Sequence, residues 1–173
     1  MSAPRSAQAS SQLAHPHLQR PMRRRVREIT DPEQIEKLLQ QEKIMHLAMS
    51  QNDRPFLVPV YFAWDGEALY FHSASAGSKI EILRNNPHVC FEISSVAGFI
   101  EAPLACDFEA RHRTLIGFGQ VSFIEELLQK VRALKLIVAR FTDRQFELPE
   151  ENLAKTLVIR IQVQSIKGKQ HGY

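Results

Sequence analysis

The feature that most narrows the fold is an alternation near the C-terminus. Between Thr156 and Ile166, Leu157, Ile159, Ile161 and Val163 alternate with Val158, Arg160, Gln162 and Gln164. Successive side chains of a β-strand point to opposite faces, so this period of two predicts a strand with two different faces. Shorter runs upstream carry the same signal. Ile44–Met49 is bounded by the turn set Gln51-Asn52-Asp53-Arg54-Pro55, and Phe56–Ala63 is rich in aromatic and β-branched residues. Asp65-Gly66 is a strong hairpin turn, and Ala68–Ser73 returns as a third strand. Two more strands are expected at His88–Ser94 and Arg113–Glu125. Pro59 interrupts its strand and predicts an edge, a bulge, or backbone that faces something other than a neighbouring strand. Gly117 and Gly119 predict a bulge or the close approach of another backbone or a ligand.

Helices punctuate these strands. Thr30-Asp31-Pro32-Glu33 is a helix start, because Thr30 or Asp31 can cap free amides and Pro32 suits the first turn. Ile35, Leu38 and Leu39 then form one apolar stripe, and the helix should end near Gln41. Ser78–Arg84 reads as a short helix stopped by Asn85-Asn86-Pro87, and Glu126–Arg140 as a longer one. Residues 95–110 give no clear signal. The sum is six strands, mostly antiparallel, with three helices. This predicts a mainly β fold, a six-stranded antiparallel sheet closing on itself with helices plugging its ends. A ferredoxin-like α+β sandwich is the rival arrangement.

Charge divides the chain. Six of the 22 Lys and Arg residues lie in residues 1–27, which hold no acid, so the rest carries 16 bases against 19 acids. Residues 1–21 are rich in Ser, Ala, Gln, Pro and His and are expected to form a disordered or loosely docked tail, with the folded domain over 22–173. Arg23-Arg24-Arg25-Val26-Arg27 could touch nucleic acid or an anionic surface, but it is read first as a solvated arm leading into the first helix, so nucleic acid is not an expected partner. No apolar run reaches the roughly 18–20 residues that span a bilayer, and no secretory h-region is present. Cys90 and Cys106 are too few for a disulfide framework, which fits a reducing cytoplasm. No CxxC spacing predicts a metal site, and no GxSxG elbow, P-loop or Rossmann glycine set occurs.

One segment concentrates chemistry. In Phe71-His72-Ser73-Ala74-Ser75-Ala76-Gly77-Ser78-Lys79 a strand runs through small residues into a helix start. Free amides there, hydroxyls of Ser73, Ser75 and Ser78, and the cation of Lys79 make a plausible phosphate site. Small-residue turns before helices are also common without any ligand. His72 can be a ligand, a proton donor or a satisfied structural residue. Arg111-His112-Arg113-Thr114 is a second polar cluster, readable as a solvated strand start or as donors to a ring edge or phosphate.

The order of short motifs carries a resemblance. Leu57-Val58-Pro59-Val60-Tyr61-Phe62, Leu69-Tyr70-Phe71-His72-Ser73-Ala74, Gly77-Ser78-Lys79-Ile80 and Leu83-Arg84-Asn85-Asn86-Pro87-His88-Val89-Cys90-Phe91 occur in that sequence. Ala105-Cys106-Asp107-Phe108, Arg113-Thr114-Leu115-Ile116-Gly117-Phe118-Gly119 and Ile166-Lys167-Gly168-Lys169 follow. Together they resemble the pyridoxamine-5′-phosphate-oxidase-like FMN-binding split barrels, and more narrowly the 5-nitroimidazole-resistance branch. The resemblance implies a six-stranded Greek-key split barrel and a homodimer with FMN at the subunit interface. It implies that Val58, Pro59, Val60 and Tyr61 line the flavin ring. His72, Ser73 and Ala74 would contact the flavin and its phosphate arm, Ser78 and Lys79 would grip the phosphate, and Arg113 and Thr114 of the second copy would reach the ring edge. Many relatives carry a basic residue where Ser78 stands. The implied activity is NAD(P)H-dependent reduction of a small acceptor such as a nitroaromatic, with His72 as the catalytic residue. Vitamin-B6 oxidase activity is not implied, because Ser165–Tyr173 lacks that enzyme's substrate segment. The alternative is a non-catalytic flavin, deazaflavin or haem binder or sensor, with His72, His88 or His112 available as an axial ligand.

Overall fold

The computed structural model describes residues 20–173. The expected tail over 1–21 therefore lies outside the described residues, apart from Arg20 and Pro21. Strand β1 is Glu28–Ile29 and helix α1 is Pro32–Gln41. The Asp31 side chain accepts from the Glu33 amide and Pro32 occupies the first turn, as the sequence predicts. Strands β2 (Ile44–Gln51) and β3 (Arg54–Tyr61) form a hairpin whose turn residues, Asn52 and Asp53, both take positive φ. Strand β4 is Ala63–Trp64, β5 is Ala68–Ala74 and helix α2 is Ser78–Asn85. Strand β6 (His88–Ile100) pairs with β7 (Glu109–Ile124), followed by helices α3 (Leu127–Ala139) and α4 (Glu150–Lys155) and strand β8 (Thr156–His171).

The strands join in the order β3-β2-β6-β7-β8-β5-β4, with β1 on β8, and every pairing is antiparallel. The sheet has eight strands rather than the expected six. The six long ones are those read from the sequence. The two extra strands have two residues each, too short to show any period. The expected strand Phe56–Ala63 divides at Phe62, whose amide donates to the Lys43 carbonyl. There the chain leaves β2 and turns to pair with β5, so Pro59 sits in a terminal strand of the path, with a neighbouring strand on one side only among the described residues. The three expected helices are joined by α4, one and a half turns long. Residues 95–110 form the far ends of β6 and β7, whose register shifts between Val96 and Phe99. Glu101-Ala102-Pro103 lies between them, and a short 3-10 turn covers Ala105–Asp107.

The core lies inside the curled sheet. Phe62, Phe71, Phe91, Met45, Leu47, Leu69, Leu115, Ile159 and Ile161 are all fully buried. Gly117 belongs to this packing. A Cβ there would lie 2.1 Å from the tip of the Phe91 ring. Gly119 sits at a register shift between β7 and β8, tight against Gln162 and Ile161. Both glycines therefore answer to the protein's own interior. A second, smaller core holds α3 and α4 against the outer side of the sheet through Ala133, Leu134, Leu153 and Val158. Arg140, at the end of α3, donates to the Leu39, Gln40 and Glu42 carbonyls and so caps the end of α1.

The arginine arm is not free. Its last residues form a 3-10 turn over Arg25–Arg27, and β1 then pairs with Gly168 and Lys169 of β8. Burial of Ile29 in the main core anchors this segment, which is too short to show as a periodic pattern.

Candidate cofactor site

The turn between β5 and α2 leaves the start of the helix uncapped. Gly77 takes φ +118°, a conformation that L side chains rarely adopt, and no side chain caps α2. The Gly77 carbonyl accepts the Ile80 and Glu81 amides, which leaves the amides of Ser78 and Lys79 at the positive end of the helix. The Lys79 ammonium stands 5.4 Å over the ring of the buried Phe71. It has no carboxylate partner among the described residues, and burial pushes its pKa below that of an ordinary lysine. A partly desolvated cation beside uncapped amides and the hydroxyls of Ser73, Ser75 and Ser78 suits a phosphate group.

Strand alternation sorts the remaining candidates. Ser73 is directly opposite Leu157, which packs on the main core, so it shares a side of β5 with Phe71 and the Lys79 ammonium. His72 and Ala74 point the other way. His72 is exposed and lies opposite Val158, which belongs to the core beneath α3. Ser73 and His72 therefore serve opposite faces. The same division runs through β3. Val58 and Val60 turn inward, whereas Pro59 and Tyr61 are exposed on the outer face.

That outer face is continuous. Pro59, His46, Glu92, Ile116 and Lys167 are register neighbours across five strands. His46 Nδ1 and Glu92 Oε2 are hydrogen-bonded at 2.9 Å, and Ser94 donates to the same carboxylate. Thr114 extends the face between Ser94 and Lys169. Arg113 points to the opposite side of β7. It donates to Gln170 at 3.4 Å, and its guanidinium lies 3.8 Å from the Tyr173 ring centroid. The structure thus brings Ser73, Ser78 and Lys79 to one turn, and Pro59, Tyr61 and Thr114 to one face. It places His72 and Arg113 apart from both groups. His88 and His112 are likewise separate, at the first residue of β6 and early in β7. His112 lies near His171, their ring centroids 6.1 Å apart.

Sequence reading missed a polar network on the α3 side. The Asp65 carboxylate accepts from the Glu67 and Ala68 amides and from Tyr70 Oη, which in turn accepts from Arg160 Nε at 3.3 Å. Burial pulls the Asp65 pKa upward, but these hydrogen bonds and the Arg160 charge outweigh it and hold the carboxyl below its ordinary value. Burial and the bond to Asp65 push the Tyr70 hydroxyl upward. The Asp-Gly turn was the only signal, and it pointed to geometry rather than charge. Among the described residues, no group of three or more His, Cys, Asp or Glu is arranged to hold a metal ion, and no helix is long and apolar enough to cross a membrane. Cys90 is half-buried, with its thiol pKa raised by burial, and Cys106 is exposed; both are free thiols.

An open antiparallel sheet, plugged by helices and with an uncapped helix start after β5, defines a split-barrel protein. Residues 31–170 match the family model described as pyridoxamine 5′-phosphate oxidase, and the chain belongs to that family. Among solved structures it is similar to a candidate 5-nitroimidazole antibiotic-resistance protein from Bacteroides thetaiotaomicron. That likeness is 29% identical, covers 82% of this chain and 85% of that one, and has a TM-score of 0.74. A flavocytochrome from Azotobacter vinelandii shares the fold at 21% identity, with 88% of this chain and 72% of that one covered and a TM-score of 0.78. An uncharacterized protein of Rhizobium meliloti is 37% identical over 54 residues, which are 31% of this chain and 35% of that relative's length.

Proposed function

We propose that the protein is a homodimeric FMN-dependent oxidoreductase of the cytoplasm that takes electrons from NAD(P)H and reduces a small acceptor such as a nitroaromatic. The observation that carries this reading is the uncapped, cationic turn at Gly77–Lys79 in a chain of this family. Likeness to the Bacteroides protein supports the acceptor class. A bound flavin supplies the hydride chemistry, and the protein supplies position and charge. Ser73, Ser78 and Lys79 hold the phosphate. Val58, Pro59, Val60 and Tyr61 flank the ring, partly through backbone groups, with Ala74 at the phosphate arm. His72 leaves β5 on the face opposite Ser73 and so does not share the phosphate turn; the role assigned to it is to hold or protonate the acceptor.

The second copy is supported by the open outer face. Leu57 and Tyr61 are more than half exposed on it, and Val96 and Phe99 project from the β6–β7 hairpin. Exposed large apolar side chains on an otherwise polar face are the kind that a protein interface covers. In the dimer, Arg113 and Thr114 of one copy complete the flavin site of the other.

The visible spectrum of the purified protein is the test. Flavin bands, FMN on release, and bleaching by NADH or NADPH are expected. A colourless protein that gains no bands with added FMN overturns the reading, and a Soret band replaces it with haem binding. Lys79→Ala should weaken FMN binding roughly ten-fold or more. His72→Ala should keep the flavin and slow acceptor reduction; an unchanged rate removes His72 from the mechanism.

A further inference from the structure

The cations around the docked arm divide into used and unused. Arg27 pairs with Glu109 at 3.6 Å and approaches His171 Nε2 at 3.4 Å. Lys167 pairs with Glu28 at 3.6 Å and donates to the Arg20 carbonyl. The side chains of Arg23, Arg24 and Lys169 have no hydrogen-bond or ion-pair partner among the described residues. With Met22 and Arg27 these three line a cleft of about 360 Å³. A second cleft of about 330 Å³ is lined by Arg20, Met22, Thr114, Ile116 and Lys167, and it shares Met22 and Lys169 with the first. No acidic residue lines either cleft.

Cations held this close raise one another's energy, and a multiply charged anion relieves that repulsion. Guanidinium forks and a lysine point charge are the donors that suit phosphate. A free phosphate would use only the cationic end. The pair of clefts, which share Met22 and Lys169 as lining, reaches Ile116 and Thr114, on the face that also carries Pro59 and Tyr61. It therefore suits a long ligand with phosphate at one end and a flat ring at the other.

We propose that this cleft binds the phosphate-bearing adenylate half of the reduced nicotinamide dinucleotide. A 2′-phosphate would lie among Arg23, Arg24 and Lys169, so NADPH would be preferred over NADH. The proposal rests on the flavin reading for its purpose, but its test is independent of flavin.

Binding of adenosine 2′,5′-bisphosphate and of adenosine 5′-monophosphate to the full-length protein is measured by calorimetry. The bisphosphate should bind at least about ten-fold more tightly, with affinity falling as salt rises. Lys169→Ala, and Arg23→Ala with Arg24→Ala, should each weaken it roughly ten-fold with an unchanged Tm. Arg54→Ala, an exposed cation at the distant β2–β3 turn, should change nothing. Equal binding of the two probes, or bisphosphate binding that survives the double substitution, overturns the proposal. So does a duplex oligonucleotide that outcompetes the bisphosphate. If the protein carries FAD that is lost in the double variant, and the bisphosphate binds no better than the monophosphate, the cleft holds the cofactor's own adenylate and the donor assignment fails. A colourless protein that still binds the bisphosphate selectively sinks the flavin reading alone.

Discussion

Two outer regions of the same sheet are finished differently. Over β5, β8 and the end of β7, the chain covers itself. Helices α3 and α4 bury Ala133, Leu134 and Leu153 against Val158. Over β3, β2, β6 and the start of β7, no helix among the described residues lies on the outer face, and Leu57, Tyr61 and Ile116 remain exposed. The interior behind both regions is one continuous core. A sheet stabilised from inside can leave an outer face free for a partner or a ligand without losing its fold. Function on this molecule is therefore sought where the chain has not covered itself, at the open face and at the uncapped turn.

Four substitutions test that contrast, in descending order of expected effect on stability. Phe91→Ala removes a fully buried ring common to both regions and should cost about 3–5 kcal/mol in denaturant unfolding. A smaller residue at 91 should also make room for Gly117→Ala, which on its own drives a Cβ into that ring. Leu134→Ala strips the self-covered face and should cost about 2 kcal/mol, the low end for a core leucine, because the site lies at the edge of a small cluster. Leu57→Asp on the open face should change monomer stability by roughly 0.5 kcal/mol or less. Light scattering should nevertheless show the proposed dimer dissociating. If Leu57→Asp unfolds the chain, the two regions are not independent.

The smallest effect concerns pH. The Asp65 carboxyl has a lowered pKa in the folded state, so its contribution is present above the ordinary aspartate pKa and is lost as pH falls through the depressed value. Tyr70 has a raised pKa, so its contribution holds below the ordinary tyrosine pKa and is lost as pH rises toward the folded value. Asp65→Asn should flatten the acid limb of a Tm-against-pH curve at the self-covered region. A curve that keeps its slope in Asp65→Asn would assign the acid sensitivity elsewhere.

The six long strands were legible because each is long enough to show its alternation, and helix α1 because Asp31 and Pro32 write a cap into the chain. The two-residue strands β1 and β4 were not, since pairing alone defines them. The turn proposed to hold phosphate was legible as Ser and Lys around a glycine. Its free amides became a specific claim only with the positive φ of Gly77 and the missing cap.

What the sequence determined by itself is local: strand period, turn chemistry, helix starts, and the motif order that points to the family. What the tertiary structure decided is which side each residue serves. Alternation states that Ser73 and His72 face opposite ways, but only the pairing of β5 with β8 shows that one side meets the main core and the other meets α3. The arginine arm follows the same logic. Its charge is written in consecutive residues, yet its unused cations meet Lys169 only because β1 pairs with β8 across nearly the whole length of the chain. Side-chain direction is a local property of the backbone, whereas the partner on each face is set by contacts between residues far apart in sequence.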